Sequence, residues 1–425
     1  MRPMKNSGIE WIGEIPEGWE ITTYHRILIR RREFDNNSNK QVLSLTINGV
    51  KEKNIEENYG KMAADFTGHQ IVEKGDLVFT PRDFDATPIL SGIAPSEGCI
   101  SNLYFVLYGN HEICLPFYNY FMWGVKWGGD IWKRLSYGMR FSYTYHQFAS
   151  LPTVSISLSV QQTIADFLDK KCELIDSIIE KQKKVIEKIK SYKQSLITEA
   201  VTKGLDPTVK MKHSGIEWIG DIPEGWEKIT LKMLSHSIGD GLHGTPIFSS
   251  DGLYDFINGN NLGNKLINIK SKTNMVDETE YKKYMISLDL NTLLISLNGT
   301  IGNMSFYNNE SIILSKSVGF IKLKPDMNKF FIYYFLQSEY IKRFFDLSFS
   351  GTTINNLSLE TLRNTTIFVP TLPEQQAIAD FLDNKCTQID KAINIKQKLI
   401  DKLTDYKKSL IYECVTGKKE VTANA

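Results

Sequence analysis

The sequence predicts an α+β protein in which two mixed α/β domains are joined by two long antiparallel helices that form a coiled coil, with a pseudo-two-fold internal repeat. Three observations predict this fold. Two segments of sequence each occur twice, long stretches without proline or glycine follow one of them, and strand-like runs broken by turns lie between the repeats.

The repeats divide the chain into two pairs of similar segments, which form a shared frame, and two dissimilar regions that lie between them. SGIEWIGEIPEGWE, from Ser7 to Glu20, returns with one change as SGIEWIGDIPEGWE from Ser214 to Glu227. QQTIADFLDKKCELID from Gln161 returns as QQAIADFLDNKCTQID from Gln375, 214 positions later. The regions between the repeats, about 21–160 and 228–374, are much less alike. Uniform drift of two copies is the alternative, but this pattern favours a common task for the repeats and different tasks for the intervening regions.

The second repeat opens a stretch that is typical of a long helix. Apolar residues recur with a heptad period, which predicts a seam that pairs the two helices. About 40 residues at 1.5 Å each give rods of roughly 60 Å, and Lys203-Gly204 predicts the end of the first. The seam residues are Leu168, Ile175, Ile189 and Leu196 in the first helix and Leu382, Ile389, Leu403 and Leu410 in the second.

One polar residue interrupts each seam near its middle. Gln182 and Lys396 occupy equivalent positions, and in an antiparallel pair they face each other. A polar pair at the centre of a seam fixes the register of the helices at some cost in stability. The alternative is that both residues simply face solvent.

The predicted domain boundaries follow from the repeats. The first domain covers residues 1–160 and includes the segment 7–20, and the first helix covers 161–204. The second domain covers 205–374 with its segment 214–227, the second helix covers 375–418, and 419–425 is a tail. Within the domains, aromatic runs such as FFIYYFL are expected to be core.

Composition excludes several classes of protein. The net charge of +1 argues against a global positive field, so that any polyanion site is a local patch. Five scattered cysteines argue against a disulfide framework or a structural zinc site. No apolar signal core and no run of about 18 apolar residues occurs, so we expect a cytoplasmic protein without membrane contact.

Catalytic motifs are missing as well. Gly239 to Gly244 form a GxGxxG pattern, but Thr245-Pro246 follows where a dinucleotide site needs a helix, so a loop is predicted. The sequence has no phosphate-binding P-loop, no HExxH pattern and no Asn-Pro-Pro-aromatic or Asp-Pro-Pro-aromatic tetrapeptide of an amino methyltransferase. We therefore predict no catalytic residue and no metal ligand in this chain.

The frame closely resembles the specificity subunit of type I restriction-modification enzymes. The resemblance rests on SGIEWIGxIPEGW, on PEQQxIADFLD at Pro373 to Asp383 with a divergent copy at Gln161 to Asp169, and on SLITEAVTKG from Ser195. It spans nearly the whole chain. It implies two target recognition domains that each read half of a bipartite, asymmetric DNA sequence, and spacer helices whose seam residues pair and dock other subunits.

The resemblance also implies the partners. They are double-stranded DNA, two modification methyltransferase subunits and, when present, restriction/translocase subunits. S-adenosylmethionine, Mg²⁺ and ATP belong to those subunits rather than to this chain. The alternative function, from another class, is a coiled-coil scaffold whose variable domains bind proteins instead of DNA.

Candidate DNA-binding residues lie in loops that match the family's DNA-facing elements. Arginines there could pair with guanine, an asparagine with adenine, threonines with phosphate or a thymine methyl, and a lysine with phosphate. The neighbouring run Arg30 to Arg32 is expected to be an ordinary solvated patch. The candidates are Thr80, Arg82 and Arg140 in the first domain and Asn298, Gly299, Thr300, Lys316, Gly351, Thr352 and Thr353 in the second.

Overall fold

Sheet-rich regions alternate with two long helices along the chain. A computed structural model describes residues 2–35, 40–54, 68–84, 88–136, 141–349 and 355–422. The first sheet-rich region contains β1 (Met4–Asn6), β2 (Glu14–Pro16), β3 (Glu20–Thr23), α1 (Tyr24–Ile27), β4 (Leu28–Arg30), β5 (Phe34–Asp35), β6 (Leu43–Thr46), β7 (Gly49–Glu52), β8 (His69–Val72), β9 (Leu77–Phe79), β10 (Ser91–Ile93), β11 (Gly98–Ile100), β12 (Phe105–Gly109), α2 (Leu115–Trp127), α3 (Ile131–Arg134), α4 (Tyr145–Ala149) and β13 (Pro152–Ser155).

The first long helix, α5 (Leu158–Lys203), is followed by the second sheet-rich region. That region contains β14 (Met211–His213), β15 (Asp221–Pro223), β16 (Glu227–Thr230), α6 (Leu231–Leu234), β17 (Ser235–Asp240), β18 (Tyr254–Ile257), a 3₁₀ turn (Gly259–Asn261), β19 (Leu262–Gly263), β20 (Leu266–Ile267), β21 (Met275–Val276), α7 (Glu278–Tyr284), β22 (Thr292–Ser296), β23 (Met304–Phe306), β24 (Ile312–Leu314), β25 (Val318–Leu323), α8 (Lys329–Leu336), α9 (Glu339–Ser348), α10 (Leu359–Arg363) and β26 (Thr366–Val369). The second long helix is α11 (Leu372–Val415). The predicted mixed fold with two long helices is confirmed.

Both long helices begin three residues before the repeated Gln-Gln pair. In α11 this is possible because Pro373 lies in the first turn, where a missing N–H costs nothing. At its other end, α5 stops at Lys203, and Gly204 has a φ of +75° and donates its N–H to Ala200 O at 3.2 Å. The glycine stop predicted for α5 is confirmed.

The chain divides into two compact units, and each contains part of both long helices. The first unit comprises Met1–Lys183 and Gln397–Ala425, and the second comprises Lys184–Lys396. Each unit has a four-stranded antiparallel sheet, with the order β10-β9-β12-β4 in the first and β23-β22-β25-β17 in the second. The two sheets have the same topology although their sequences differ, which is what an ancient duplication produces.

In the first unit, α5 and α11 run in opposite directions. Lys407 of α11 forms an ion pair with Asp176 of α5 at 2.6 Å. Further along the pair, Cys414 lies close enough to Cys172 for an electrostatic interaction. Since the residue number rises on one helix as it falls on the other, the two segments are antiparallel.

The second unit repeats this arrangement with the other halves of the helices. Lys193 of α5 pairs with Asp390 of α11 at 2.7 Å. A Cβ atom added to Gly204, just beyond α5, would lie 3.3 Å from Glu374 Oε1 in the first turn of α11. Both ion pairs are related by the repeat spacing of 214 positions, but exposed pairs of this kind contribute little stability.

The core of the second unit surrounds the aromatic helix α8. Phe331 and Phe335 are completely buried and share a cluster with Val201 of α5 and with Ile378 and Leu382 of α11. The prediction that this aromatic run is core is confirmed. Burial of large aromatic side chains against both helices therefore holds the second sheet-rich region to the helix pair.

The tryptophans of the two SGIEWIGxIPEGW segments differ in burial. Trp19 and Trp226 are buried, whereas Trp218 is 44% exposed. Trp226 donates its ring N–H to Glu374 Oε1 at 3.1 Å, and Trp19 lies under the guanidinium of Arg2. These two rings are core residues of their own units.

Candidate DNA interface

The loop that carries Asn298, Gly299 and Thr300 lies between β22 and β23 of the second unit. It begins at Ser296, whose N–H donates to Asn303 O at 2.8 Å and whose C=O accepts from Gly302 N at 3.0 Å. Gly299 has a φ of +69° and its surroundings are open, so glycine is needed there for conformation rather than for space. The loop is a tight, hydrogen-bonded turn at the end of a fully buried strand.

Thr300 has a structural partner. Its hydroxyl donates to Gly259 O at 3.0 Å and lies 3.2 Å from Ser296 Oγ. Gly259 in turn donates its N–H to Ser317 Oγ at 3.0 Å, and a Cβ there would lie 2.4 Å from Ser296 Oγ. Thr300 therefore joins the loop after β22 to the loop after β18.

Lys316 lies in the turn between β24 and β25, next to this junction. Its backbone N–H donates to Leu242 O at 2.9 Å, and its side chain is exposed. Leu242 follows β17. The GxGxxG pattern begins inside that strand, at Gly239 and Asp240, so the predicted loop is confirmed only from Gly241, where the chain leads on to β18. Three loops, after β17, β18 and β22, thus meet the turn before β25 at one end of the four-stranded sheet. We call this end the reading edge.

This edge also contains two exposed asparagines that the sequence analysis did not select. Asn258 and Asn260 flank Gly259, and the Asn258 side chain accepts from Asn260 N at 2.9 Å. The signal in the sequence was the run NGNN between two strands. The edge presents amide, hydroxyl and ammonium groups, which are the groups that read bases and bind phosphates.

In the first unit, Thr80 and Arg82 follow β9. Thr80 is 6% exposed and donates its N–H to Leu90 O at 2.8 Å and its hydroxyl to Arg82 O at 3.3 Å. Arg82 is half-buried, and its charge acts on the phenol of Tyr104. Thr80 consequently shapes the turn, and Arg82 presents the charge.

The two loops occupy equivalent positions in their units. Pro81 O accepts the N–H of Tyr143 at 2.8 Å, and Leu297 O accepts the N–H of Leu357 at 2.7 Å. Tyr143 and Leu357 are separated by the repeat spacing of 214 positions. Each bond joins the loop after the second strand of the sheet to the segment before a short helix.

Arg140, Gly351, Thr352 and Thr353 lie outside the described residues.

The arginine run differs from the solvated patch that we expected. Arg31 is 9% exposed and binds Asp76 through Nε at 2.9 Å and Glu73 through Nη2 at 2.8 Å. The hydrogen bond that Arg31 donates to Asp76 raises the pKa of Arg31, and burial lowers the pKa of Arg30, which lies over the Phe105 ring. Two of the three guanidinium groups are therefore committed to contacts within the unit.

The first glutamine of each repeated Gln-Gln pair has a buried side chain that bonds to backbone groups. Gln375 is 1% exposed, accepts the N–H of Asn328 at 2.9 Å and donates to Pro370 O at 3.0 Å. Gln161, also 1% exposed, makes the equivalent bonds to Cys114 N and Ile156 O, both at 2.8 Å. In each unit this glutamine ties the start of a long helix to the sheet-rich region.

An aspartate of the same motif receives a tyrosine hydroxyl. Tyr120 donates to Asp169 Oδ1 at 2.7 Å, and Tyr334 donates to Asp383 Oδ1 at 2.6 Å. Burial, followed by this hydrogen bond, raises the pKa of both tyrosines. The phenols stay protonated, so the contact between the domain helix and the long helix persists at neutral pH.

The predicted seam residues have mixed surroundings. Leu168, Ile175, Leu382 and Leu410 are buried, and the other six are half-buried. Gln182 belongs to the first unit and Lys396 to the second, so their pairing stays a prediction. The half-buried seam residues are Gln182, Ile189, Leu196, Ile389, Lys396 and Leu403.

In the described part of the chain, no helix is both long and apolar enough to cross a membrane. Across the same residues, no group of three or more His, Cys, Asp or Glu side chains is arranged to hold a metal ion.

Comparison with known proteins finds a domain model and two proteins that this chain resembles. Residues 223–405 match the model of the type I restriction modification DNA specificity domain. The type I restriction enzyme MjaVIII specificity subunit of Methanocaldococcus jannaschii is 26% identical over 279 residues, which cover 64% of this chain and 62% of that protein. A second protein of that organism, provisionally named the type I restriction enzyme MjaX specificity subunit, is 23% identical over 96% of both chains.

A solved structure agrees with the fold. It comes from work on complex assembly and conformational transition of the type I R-M system, and it matches with a TM-score of 0.69 at 14% identity. The match covers 95% of this chain and 99% of that one. Residues 223–405 therefore match the type I restriction modification DNA specificity domain, and the chain is similar in sequence to type I restriction enzyme specificity subunits.

Proposed function

We propose that this chain is the non-catalytic subunit that supplies sequence specificity to a type I restriction-modification complex, and that it reads a bipartite, asymmetric target in double-stranded DNA. Residues 1–160 and 205–374 are the two target recognition domains. Residues 161–204 and 375–418 are the spacer helices, and 419–425 form a tail. Each domain reads one half of the target.

One observation carries the proposal. Two loops at equivalent positions of the same sheet topology have different residues, Thr80-Pro81-Arg82 in one unit and Asn298-Gly299-Thr300 in the other. A guanidinium favours guanine and a carboxamide favours adenine, since each matches a different pattern of donors and acceptors in the major groove. Equivalent positions with different chemistry support two half-sites of different sequence.

The other parts of the proposal concern the assembly. Two modification methyltransferase subunits dock on the spacer helices, and restriction/translocase subunits join when present. Those subunits bring S-adenosylmethionine, Mg²⁺ and ATP. Because its substrate is cellular or incoming DNA, the complex works in the cytoplasm. A reader with a net charge of +1 can take phosphate affinity from its partners while it supplies the base contacts.

The test is to co-express the chain with its modification subunit in a host without DNA methylation and to map methylated adenines by single-molecule sequencing. The proposal predicts one split, asymmetric motif. A stable complex that methylates nothing, or that methylates without sequence preference, would contradict it and favour the protein-binding scaffold.

Two substitutions sharpen this test in the second unit. Asn298→Ala removes a carboxamide at the proposed reading edge, and we expect it to relax one base of the second half-site while the first half-site stays unchanged. Loss of one good base contact corresponds to about 10-fold or more in discrimination. Asn308→Ala, an exposed asparagine in the turn between β23 and β24, is the matched control and should leave the motif intact.

Lys316→Ala tests the proposed phosphate contact. It should weaken binding to all sequences about equally and reduce the slope of log K against log salt by about 1, because one fewer counterion is released. An unchanged slope would remove Lys316 from the interface.

A further inference from the structure

In the second unit, the Tyr334–Asp383 pair holds a lysine of the same chain. Lys265, in the turn between β19 and β20, contacts the Asp383 carboxylate and donates to Tyr334 Oη at 3.1 Å. Its ammonium also lies 4.9 to 5.7 Å from the ring centroids of Phe330, Tyr333 and Tyr334. A carboxylate, a phenol oxygen and aromatic faces together make a slot for a cation.

The first unit has the same hairpin at the equivalent place. Val42, just before the β6–β7 hairpin, pairs in parallel with Cys99 of β11, as β18 before the β19–β20 hairpin pairs in parallel with β24. Each hairpin packs on the edge strand of its four-stranded sheet, β10 or β23. The turn of the first hairpin contains Ile47 and Asn48 where the second contains Asn264 and Lys265. The first hairpin turn therefore supplies no cation.

The first unit nevertheless keeps the acceptor. Tyr120 and Asp169 repeat the pair Tyr334 and Asp383 at the spacing of 214 positions, and they are joined by the same hydrogen bond. Among the ion pairs of the described residues, none joins Asp169 to a lysine or arginine. Asp169 is exposed to solvent.

An open groove of about 1100 Å³ lies beside Tyr120 and Asp169 and reaches the hairpin turn at Ile47 and Asn48. We call it the Asp169 groove; its walls are the tip of the β6–β7 hairpin, β10, α2, α5 and α11. Trp123 and Trp127, with ring centroids 5.1 Å apart, form the aromatic part. The titratable and charged residues lining it are Tyr120, Lys126, Asp169, Cys172, Glu173, Asp176, Glu180 and Lys407.

Neither lysine of the groove pairs with Asp169, and Lys126 Nζ is buried without a hydrogen-bond partner among the described residues. Lys407 is paired with Asp176 at 2.6 Å. Lys126 lies 5.7 Å from the Trp123 ring centroid, and its charge interacts with Asp130. Asp169 and Glu173 therefore give the groove a negative, aromatic-lined region with a free cation-binding position beside Tyr120.

We propose that the Asp169 groove takes a lysine or arginine side chain of a partner protein, and that this partner is the modification subunit. The inserted side chain occupies the place that Lys265 occupies in the second unit. DNA is the wrong occupant because carboxylates repel phosphates. The inference rests on the proposed function and adds an asymmetry to it, since only the first unit has this slot open.

The experiment measures the affinity of the full chain for the purified modification subunit by biolayer interferometry. Asp169→Asn keeps an acceptor for Tyr120 but removes the charge, and it should weaken binding about 10-fold. Asn48→Lys places a lysine in the hairpin turn, where it can fill the groove from within the chain, and it should weaken binding to a similar extent. Asp383→Asn is the matched control, since Lys265 already occupies its slot, and should bind like the wild type.

The outcomes separate the two proposals. If the wild type binds and both Asp169→Asn and Asn48→Lys bind equally well, the inference is overturned and the proposed function stands. If the wild type forms no complex with the modification subunit, both are overturned. Should Asp169→Asn fail to fold, Asn48→Lys carries the test, because it changes an exposed turn and leaves the Tyr120–Asp169 contact intact.

A crosslink gives an independent readout. A photoreactive phenylalanine at position 123 should crosslink to a segment of the modification subunit that contains lysine or arginine. Crosslinks confined to this chain would show that the groove is filled from within and would overturn the inference.

Discussion

Gln375→Met tests how the second sheet-rich region is held on its long helix. The glutamine is 1% exposed, and its amide bonds to the N–H of Asn328 at 2.9 Å and to Pro370 O at 3.0 Å. Methionine has a similar volume but no comparable donor or acceptor. Both backbone groups are then left buried without a partner.

The expected cost follows from these two groups. Each buried group without a partner costs about 1–3 kcal/mol, so we expect the free energy of unfolding of the second unit to fall by about 3 kcal/mol. Gln161→Met in the first unit should cost less, because Cys114 and Ile156 are only half-buried and water can replace part of the loss. Gln388→Met is the control, since this exposed side chain makes only an i,i+4 bond to Asn384, worth about 0.2–0.5 kcal/mol.

The assay combines urea unfolding with hydrogen exchange measured on peptides. Two units can unfold separately, so a single transition cannot be assumed, and peptides covering 324–336 assign the loss to the second unit. Faster exchange there, with little change in the first unit, is the expected result. If Gln375→Met and Gln388→Met are equally stable, the buried amide does not hold the unit together and the reasoning is refuted.

Three further predictions concern titration and burial. Burial raises the pKa of Tyr120 and Tyr334 above the value of about 10 for tyrosine in the unfolded chain, so the unfolded chain loses these protons first as the pH rises. The free energy of unfolding should therefore be unaffected by these groups below about pH 10 and should fall above it. Urea unfolding between pH 8 and 11 measures this change. Asp76→Asn removes the buried partner of Arg31 and should cost about 3 kcal/mol in thermal or urea unfolding, whereas the exposed Glu73→Gln should cost under about 1 kcal/mol; equal effects would contradict this. Burial raises the pKa of Cys172 to about 11, so iodoacetamide at pH 8 should modify it only after denaturation, and rapid labelling of the folded chain would show that the thiol is accessible.

Long-range sequence patterns predicted the architecture well. The repeats at Ser7 and Ser214 and at Gln161 and Gln375 indicated a duplicated mixed fold, and the uninterrupted runs after the glutamines indicated the long helices. These features depend on periodicity and on glycine and proline, which act locally and are visible in the sequence.

Partners between distant residues were not predictable. The sequence suggested that Arg31 belongs to a solvated patch, because its acceptors Asp76 and Glu73 are distant in the sequence and lie between β8 and β9. Likewise the sequence does not indicate that Lys265 meets Asp383, 118 positions away. Such contacts are set by tertiary packing, which no local pattern encodes.

The candidate site was predictable only in outline. Matching the loops after β9 and β22 located two equivalent positions, but the individual roles of their residues depend on hydrogen bonds seen only in the structure. Thr300, for example, was selected for DNA, and its hydroxyl donates to Gly259 O. The asparagines at 258 and 260 were missed because they belong to a different loop that joins the same edge only in the folded unit.

An exchange of domains tests whether each variable domain independently reads one half of the target. A chain in which residues 228–374 are replaced by a second copy of residues 21–160, co-expressed with the modification subunit, should methylate a symmetric motif whose two halves both equal the first half of the wild-type motif. Retention of the original asymmetric motif, or a stable complex that methylates neither half, would contradict the account.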